Sequence, residues 1–347
     1  MEHLAIDLGG RESQVCIRGA DGVILEEKRW ATRDLGRYLG TRPRSRVVLE
    51  TCAEAFCVAD QAKALGHEVR VVPSTLVRAL GVGERKTKTD KRDARKLSEV
   101  SARIDVPSVH IPTQESRELK TRLGMRAGLV TARTKLINTV RGWLRASALN
   151  VPKDADRFVA RVRELTEHRP SYVERQLLVI DVLTQQIDES DTEATKLAKK
   201  HPVCPRLMSV PGVGAITSLL FVAVIDDVHR FKSAHELEAY LGVTPGIYAS
   251  STRVQRTGIT KAGSPEMRRC LTQAAWSAKR ARGRHPMLEW AAEVEKRRGK
   301  RIATIALVRK MAGIMFALWR DGTVYNPMQA ARVTPKQDSA PQAMTVT

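Results

Sequence analysis

The chain is 347 residues long and carries 59 Lys+Arg against 38 Asp+Glu, a formal charge of +21 at pH 7. That length allows two or three domains with substantial cores, and the basic excess points to a polyanionic partner, most commonly nucleic acid. Aromatics at 4 % exclude extensive stacking on unpaired bases, and the absence of a long apolar run or lipidation signal argues against a membrane.

The opening MEHLAIDLGG has neither a basic region nor an apolar core of a leader, so no signal peptide is expected. Cys16, Cys52, Cys57, Cys204 and Cys270 are scattered, with no zinc spacing or disulfide framework, which fits a reducing cytoplasm. His3 to Leu8, Ser13 to Arg18 and Val23 to Glu27 are strand candidates, the last two joined at Ala20-Asp21-Gly22, and read together as an antiparallel meander. Arg33 to Leu39 reads as a short helix and Arg46 to Leu49 as a buried strand ending at Glu50. Ala53 to Leu65 is a helix and Glu68 to Val72 a strand. Strands alternating with helices imply an α/β domain, whose ligands gather at the strand carboxyl ends. Asp7 and Glu50 stand at such ends. In KTKTDKRDARKLSEV, Thr89 caps a helix starting near Asp90. Asp90 and Asp93, three apart, project from one face among Lys86, Lys88, Lys91, Arg92, Arg95 and Lys96. Singly, these acids read as a strand-end turn residue and helix-start carboxylates. Together, Asp7, Glu50, Asp90 and Asp93 form an oxygen donor set suited to two Mg²⁺ ions and in-line displacement at a phosphodiester.

Gln114 to Ala148 predicts a long helix with Leu119, Leu123, Val130, Ile137, Val140 and Leu144 at helical spacing. Lys153 to Glu167 predicts a shorter one, and Ser171 to Lys199 a second long one with Tyr172, Leu177, Ile180, Leu183 and Ile187 on one side. The two long helices suggest an antiparallel arm for dimerisation or for spanning nucleic acid; the plainer reading is a bundle packed on its own chain. Leu207 to Gly214, before the apolar helix Ala215 to Ile225, resembles a helix-hairpin-helix element. There Gly212 and Gly214 would free backbone N–H groups for a DNA phosphate, the alternative being a turn without ligand. Ser233 to Leu241 is a helix leading to Ser250-Ser251, paired hydroxyls in a loop signalled by Pro245 and Gly246. Arg253, Arg256, Lys261, Arg268 and Arg269 follow. Ser264, Pro265 and Glu266 start a helix reaching Arg282. A hydroxyl ringed by cations before a positive helix end suits a phosphodiester, whereas the plainer reading is a basic loop with two incidental serines. Pro286 to Lys296 and Ile302 to Arg320 are the closing helices, and the polar residues 329–347 read as a disordered tail.

The stretches AIDLGG, VVLE and KTDKRDARKL, then SVPGVG, YLGVTP and ASSTRVQRTGITKAGSPEMRRCLTQAAW, stand in this order across residues 3 to 320. They resemble the insertion-sequence one-ten family of DEDD transposases. The resemblance implies a RuvC-like ribonuclease-H fold in which Asp7, Glu50, Asp90 and Asp93 bind Mg²⁺. It also implies a nucleophilic serine ahead of Gly258-Ile259-Thr260-Lys261. Counting back, Ser250 is the match. Many relatives have glycine after the serine, whereas this chain reads Ala249-Ser250-Ser251-Thr252, so Ser251 stays as the alternative nucleophile. The resemblance further implies guidance by a structured bridge RNA that pairs with donor and target DNA. It implies assembly as a dimer or tetramer in which one protomer's acids meet another's serine.

The chain therefore reads as α/β plus α. A RuvC-like domain covers 1–112, a long-helix (coiled-coil) arm 113–201, and a mostly helical C-terminal transposase domain, with helix-hairpin-helix and catalytic-serine loop, 202–328. The expected protein is a cytoplasmic, nucleoid-associated bacterial transposase that moves its own element through a serine–DNA intermediate. Nucleic-acid contacts are expected at Gly212, Gly214, Arg253, Arg256, Lys261 and Arg268. A RuvC-like junction nuclease acting by metal-dependent hydrolysis fits the acids equally well but leaves the serine segment unexplained. A non-catalytic binder predicts that acids and Mg²⁺ are dispensable.

Overall fold

The computed structural model describes residues 1–79, 90–152, 154–250, 253–280 and 285–327, with 78–79, 90, 247–250 and 253–256 described by backbone alone. The expected tail, 329–347, lies outside them. Two units emerge, Met1–Thr113 and Gln114–Thr347.

In the first unit, β1 (His3–Asp7), β2 (Glu12–Arg18) and β3 (Ile24–Ala31) form the expected antiparallel meander. After α1 (Leu35–Gly40), β4 (Arg46–Glu50) pairs parallel with β1. After α2 (Ala55–Ala64), β5 (Glu68–Val72) pairs parallel with β4. The order β3-β2-β1-β4-β5 is consistent with the ribonuclease-H reading. Both faces are covered, which is why β1 and β4 are apolar at consecutive rather than alternate positions. Leu4, Ile6, Val47 and Leu49 pack on Leu35, Leu39, Val58 and Ala59. Ala5, Val48 and Val72 pack on Val77 of α3 (Ser74–Ala79) and Leu97 of α4 (Asp90–Arg103). The six-residue α3 has too few turns to show a periodic signal and was not anticipated.

The second unit begins with α5 (Gln114–Ala146), α6 (Phe158–Leu165) and α7 (Ser171–Lys200). Antiparallel packing of α5 on α7 is fixed by Arg126 Nη2 on Asp191 Oδ2 at 2.9 Å and Arg133 Nη1 on Thr184 Oγ1 at 3.3 Å. Helix α6 starts at Phe158, not Lys153, because the Asp154 carboxylate accepts from the Asp156 amide at 3.2 Å and holds a turn there. Its Phe158 and Val162 close over Ile137, Leu144, Leu177 and Ile180. At the other end of the pair, Leu119, Leu123, Ala194 and Ala198 enter the main core. The centre of the apolar faces expected to await a second protomer is thus covered by the same chain, whereas Tyr172 stays exposed. Leu123 and Ile137 are 3 % exposed, Ile180 is 0 %, and Leu183 is half-buried.

The main core gathers α8 (Cys204–Met208), α9 (Ala215–Ile225), α10 (Ala234–Tyr240), α11 (Pro265–Ala278), α12 (Pro286–Arg298) and α13 (Lys300–Asp321). Helix α9 is apolar all round because it is buried all round. Helix α13 is long and apolar enough to cross a membrane, but Leu307, Met311, Met315 and Phe316 make it a core helix here. Among the described residues Cys16, Cys52, Cys57, Cys204 and Cys270 are free.

Candidate functional site

Asp7 closes β1 and Glu50 closes β4, two parallel neighbours with Ile6 abreast of Leu49. One step further along both strands, the two carboxylates leave the sheet one strand spacing apart, about 5 Å. Alternation puts them on the face of Ala5 and Val48, the face that α4 covers. Helix α4 runs antiparallel to β1. Ser101 Oγ lies 2.9 Å from His3 Nδ1, and one turn earlier Ser98 Oγ lies 3.3 Å from Sγ of Cys16, the partner of Ala5. At about 1.5 Å per helical residue against about 3.3 Å per strand residue, this alignment brings Asp93 level with Asp7. Asp7, Glu50 and Asp93 are half-buried, and the Asp90 side chain lies outside the described ones. The three acids share one sheet edge and one face. Among the described residues, no three His, Cys, Asp or Glu side chains close into a metal-binding group. The donors are all carboxylate oxygens, as a hard divalent cation requires.

Glu27, on β3, holds this helix in place and had no signature in the sequence beyond an acid repeated along an edge strand. Its carboxylate receives Nε and Nη2 of Arg95, and Lys91 Nζ stands 3.5 Å away. The Arg95 hydrogen bonds keep Glu27 below the ordinary carboxylate range, against the opposing effect of burial. Burial also pushes the Cys16 thiol up beneath α4.

The serine is not in a loop. Pro245–Ser250 is a strand, β6, paired antiparallel with β7, Arg253–Ile259, and Ser250 faces Arg253 in the last pair. The β-branched and aromatic residues Ile247, Tyr248, Val254, Thr257 and Ile259 favour strands. Pro245 is tolerated as the first strand residue, and Gly246 stands at a register shift where a Cβ would meet Thr257 Oγ1 at 2.5 Å. The turn signals of Pro245 and Gly246 therefore mark a strand entrance. Ser251 lies outside the described residues, and Arg253 and Arg256 are placed on β7 by their backbone.

The hairpin's root is tightly made. Thr260 N donates to Thr244 O, and Lys261 N to Gly242 O, both at 3.0 Å. Gly242 has φ +69°, and a Cβ there would meet Ala262 N at 2.5 Å; one on Gly263 would meet Tyr240 O at 2.2 Å. Arg268 Nη1 donates to Gly263 O at 2.6 Å and to Leu241 O at 3.3 Å. Arg268, expected on nucleic acid, is thus engaged with carbonyls of its own chain. Ser264 caps α11 as expected, accepting from Met267 N at 3.3 Å. Exposed Lys261 and Arg269 help line a 270 Å³ cavity beneath the hairpin, with Ile259, Thr272, Ile305 and Val308.

The two glycines of the expected helix-hairpin-helix part company. Gly212 has φ +83°, and a Cβ would meet Ala274 O at 2.2 Å and Ala278 N at 2.6 Å. Its small size serves close packing on α11. Gly214, the N-cap of α9, has open space at its Cβ position and keeps a backbone that a phosphate can approach.

Comparison with known proteins matches this arrangement in order and extent. Residues 4–149 match a DEDD transposase family model of the IS110 type, described as Transposase, and residues 204–288 match one described as Transposase IS116/IS110/IS902 family. The chain is 26 % identical over 334 residues to the transposase for insertion sequence element IS1328 of Yersinia enterocolitica, covering 93 % of this chain and 98 % of that one. It is 27 % identical over 329 residues to the transposase for insertion sequence element IS1111A of Coxiella burnetii, covering 91 % and 88 %. A probable family 20 transposase of Pseudomonas aeruginosa is 26 % identical over 315 residues, covering 86 % and 90 %. The first match spans all four acids and the second spans the serine hairpin: in both parts the chain is similar to transposases of the IS116/IS110/IS902 family.

Proposed function

We propose that this protein is a DNA recombinase that excises and inserts its own insertion sequence, with Ser250 as the nucleophile. The observation that carries the reading is the position of Ser250 in the last pair of a two-stranded hairpin whose root is clamped by Gly242, Gly263 and Arg268. A hydroxyl at such a tip can enter a DNA groove and line up with a leaving oxygen without moving the fold. In the reaction, Ser250 Oγ bonds to phosphorus as the bond to the leaving sugar oxygen breaks. The serine proton passes to solvent, and the leaving oxygen takes one up. The phosphoserine linkage conserves the bond energy. Attack by the hydroxyl of a new strand restores a phosphodiester and frees the serine, without ATP.

A serine hydroxyl is a weak nucleophile at neutral pH and needs activation. Asp7 and Glu50, with Asp90 and Asp93 of α4, are the residues that would hold Mg²⁺. When bound there, a divalent cation supplies charge that polarises the phosphate and lowers the hydroxyl's pKa. The strand order β3-β2-β1-β4-β5 and the DEDD family match support this RuvC-like reading. Lys261 and Arg269, with Arg253 and Arg256 on β7, would neutralise the extra charge of the phosphorane. Gly214 would approach a backbone phosphate. The family resemblance extends the proposal to a bridge RNA that selects donor and target DNA, and to a homo-oligomer, dimer or tetramer, pairing one protomer's acids with another's serine.

The test is covalent trapping on a denaturing gel. Ser250→Ala should keep nucleic-acid binding and form no protein–DNA adduct, and Ser251→Ala should be much milder. Loss of a phosphate hydrogen bond alone costs about 1.5–3 kcal/mol, roughly a ten- to hundredfold drop in rate, so total loss of adduct separates nucleophile from contact. Asp7→Asn and Glu50→Gln should also abolish recombination while binding survives. Strand exchange by both serine variants would overturn the mechanism in favour of metal-dependent hydrolysis.

A further inference from the structure

The turn between α12 and α13 reads Lys296-Arg297-Arg298-Gly299-Lys300-Arg301, and every one of these residues is exposed. The nearby carboxylates are engaged: Glu293 with Lys296 at 2.7 Å, and Glu295 with Lys279 at 2.5 Å. Among the described residues, no carboxylate stands within ion-pair distance of Arg298, Lys300 or Arg301. An arrangement of like charges this dense opposes folding by self-repulsion; Gly299, at φ +80°, turns the chain so that the last turn of α12 and the first of α13 present them together.

One aromatic side chain stands beside them. Trp276, on α11, is 52 % exposed, while its helix neighbours Ala274, Ala275 and Ala278 are buried. Two observations place it near the basic turn. The Lys279–Glu295 ion pair ties the end of α11 to the last turn of α12. Thr272 of α11 and Ile305 of α13 line one cavity; Trp276 stands one turn beyond Thr272, toward the end that the ion pair ties to α12, and Arg301 one turn before Ile305, just after α12 ends. The other end of that cavity reaches Lys261 and Ile259 at the root of the serine hairpin. From Pro265 to Trp276, α11 covers about 16 Å.

We propose that Arg298, Lys300, Arg301 and Trp276 form a second nucleic-acid contact that receives single-stranded DNA from the serine hairpin, phosphates on the three cations and one unpaired base on the indole. An exposed indole face serves an unpaired base and not a stacked duplex. The choice of DNA rests on the recombinase reading, because the strand leaving Ser250 is the one being cut. Its three cations lie beyond residue 288, where the second family match ends, and Trp276 lies within that match.

The experiment measures fluorescence anisotropy of the full chain with a labelled oligothymidine, an oligouridine of equal length and a duplex, across a salt series. Arg298→Gln/Lys300→Gln/Arg301→Gln should weaken oligothymidine binding at least tenfold. It should also reduce the salt slope by about 2, since each phosphate contact on a single strand contributes about 0.7. Trp276→Ala should weaken it about tenfold with the slope unchanged, and Trp276→Phe should recover most of the loss. Thermal melts should show Trp276→Ala at the parent's midpoint and the triple variant at or above it, since like charges have been removed, which separates contact from folding. Unchanged oligothymidine affinity and slope in the triple variant would overturn the proposal. So would equal losses on duplex, or a stronger loss on oligouridine, which would assign the strip to RNA. Failure of the Ser250 reading shows itself elsewhere, as an adduct that persists in Ser250→Ala while the strip variants still lose oligothymidine.

Discussion

The guanidinium of Arg268 joins the end of α10 to the start of α11 by donating to Leu241 O and Gly263 O, and so sets the angle at which the serine hairpin leaves the core. Arg268→Ala should therefore cost about 1.5–3 kcal/mol for lost charged hydrogen bonds. Adduct formation should fall further than duplex binding, and Arg268→Lys should recover only part of it. Melting curves read beside the denaturing gel check this; normal stability with selectively weakened DNA binding would restore Arg268 to the DNA surface. Gly212 and Gly214 separate in the same way. Gly212→Ala puts a methyl group against Ala274 O in a left-handed backbone and should destabilise by at least about 1–2 kcal/mol. Gly214→Ala meets no atom and should leave denaturant midpoints unchanged while lowering affinity for DNA.

At the scale of elements, α4 is the piece whose position matters most, because it carries Asp90 and Asp93 over the ends of β1 and β4. Glu27 pins it through Arg95 and Lys91. Glu27→Gln should lower stability at pH 7 and reduce activity through the misplaced helix. The carboxylate is held below its ordinary value of 4.5, so its contribution is complete above that pH and is lost as pH falls below it. The stability gap between parent and Glu27→Gln should close as unfolding is measured at pH values descending below about 4.5. A gap that widens on acidification would show that the ion pair does not hold the helix. On the arm, Ile180→Asp should destabilise the monomer fold by about 3 kcal/mol or more, because Ile180 is buried under α6. Val182→Asp, at a position 61 % exposed, should stay within about 0.5 kcal/mol. Chemical denaturation distinguishes these from an interface effect, which would depend on protein concentration.

For the whole molecule, the charge of +21 is the dominant long-range property. The purified protein should carry RNA, seen as excess absorbance at 260 nm, and should release it steeply with salt. Recombination by nuclease-treated protein with DNA and Mg²⁺ alone would remove the RNA requirement. The arm is expected from sequence to form a protein–protein contact through Leu123, Ile137, Ile180 and Leu183, all but the half-buried Leu183 being buried in the structure. Their burial within one chain means that sedimentation of charged variants at these sites should report unfolding, not dissociation.

How much was legible follows from the range of each interaction. The strands β1, β4 and β5, the long helices α5 and α7, and the Ser264 cap of α11 follow from local propensity, periodicity and capping chemistry, all written within a few residues. The strand-end places of Asp7 and Glu50 were legible for the same reason, and the order of short motifs along the chain was enough to point to the family. The hairpin was misread because Pro245 and Gly246 are strong turn signals, and only pairing with β7 shows them to be a strand entrance. Gly212, Arg268 and Glu27 could not be assigned from sequence, because their partners Ala274, Leu241 and Arg95 lie 27 to 68 positions away along the chain. Residue type and spacing determined which groups could do chemistry; tertiary packing decided which of them face a ligand and which hold the fold, because a glycine or a guanidinium carries the same letter in either role.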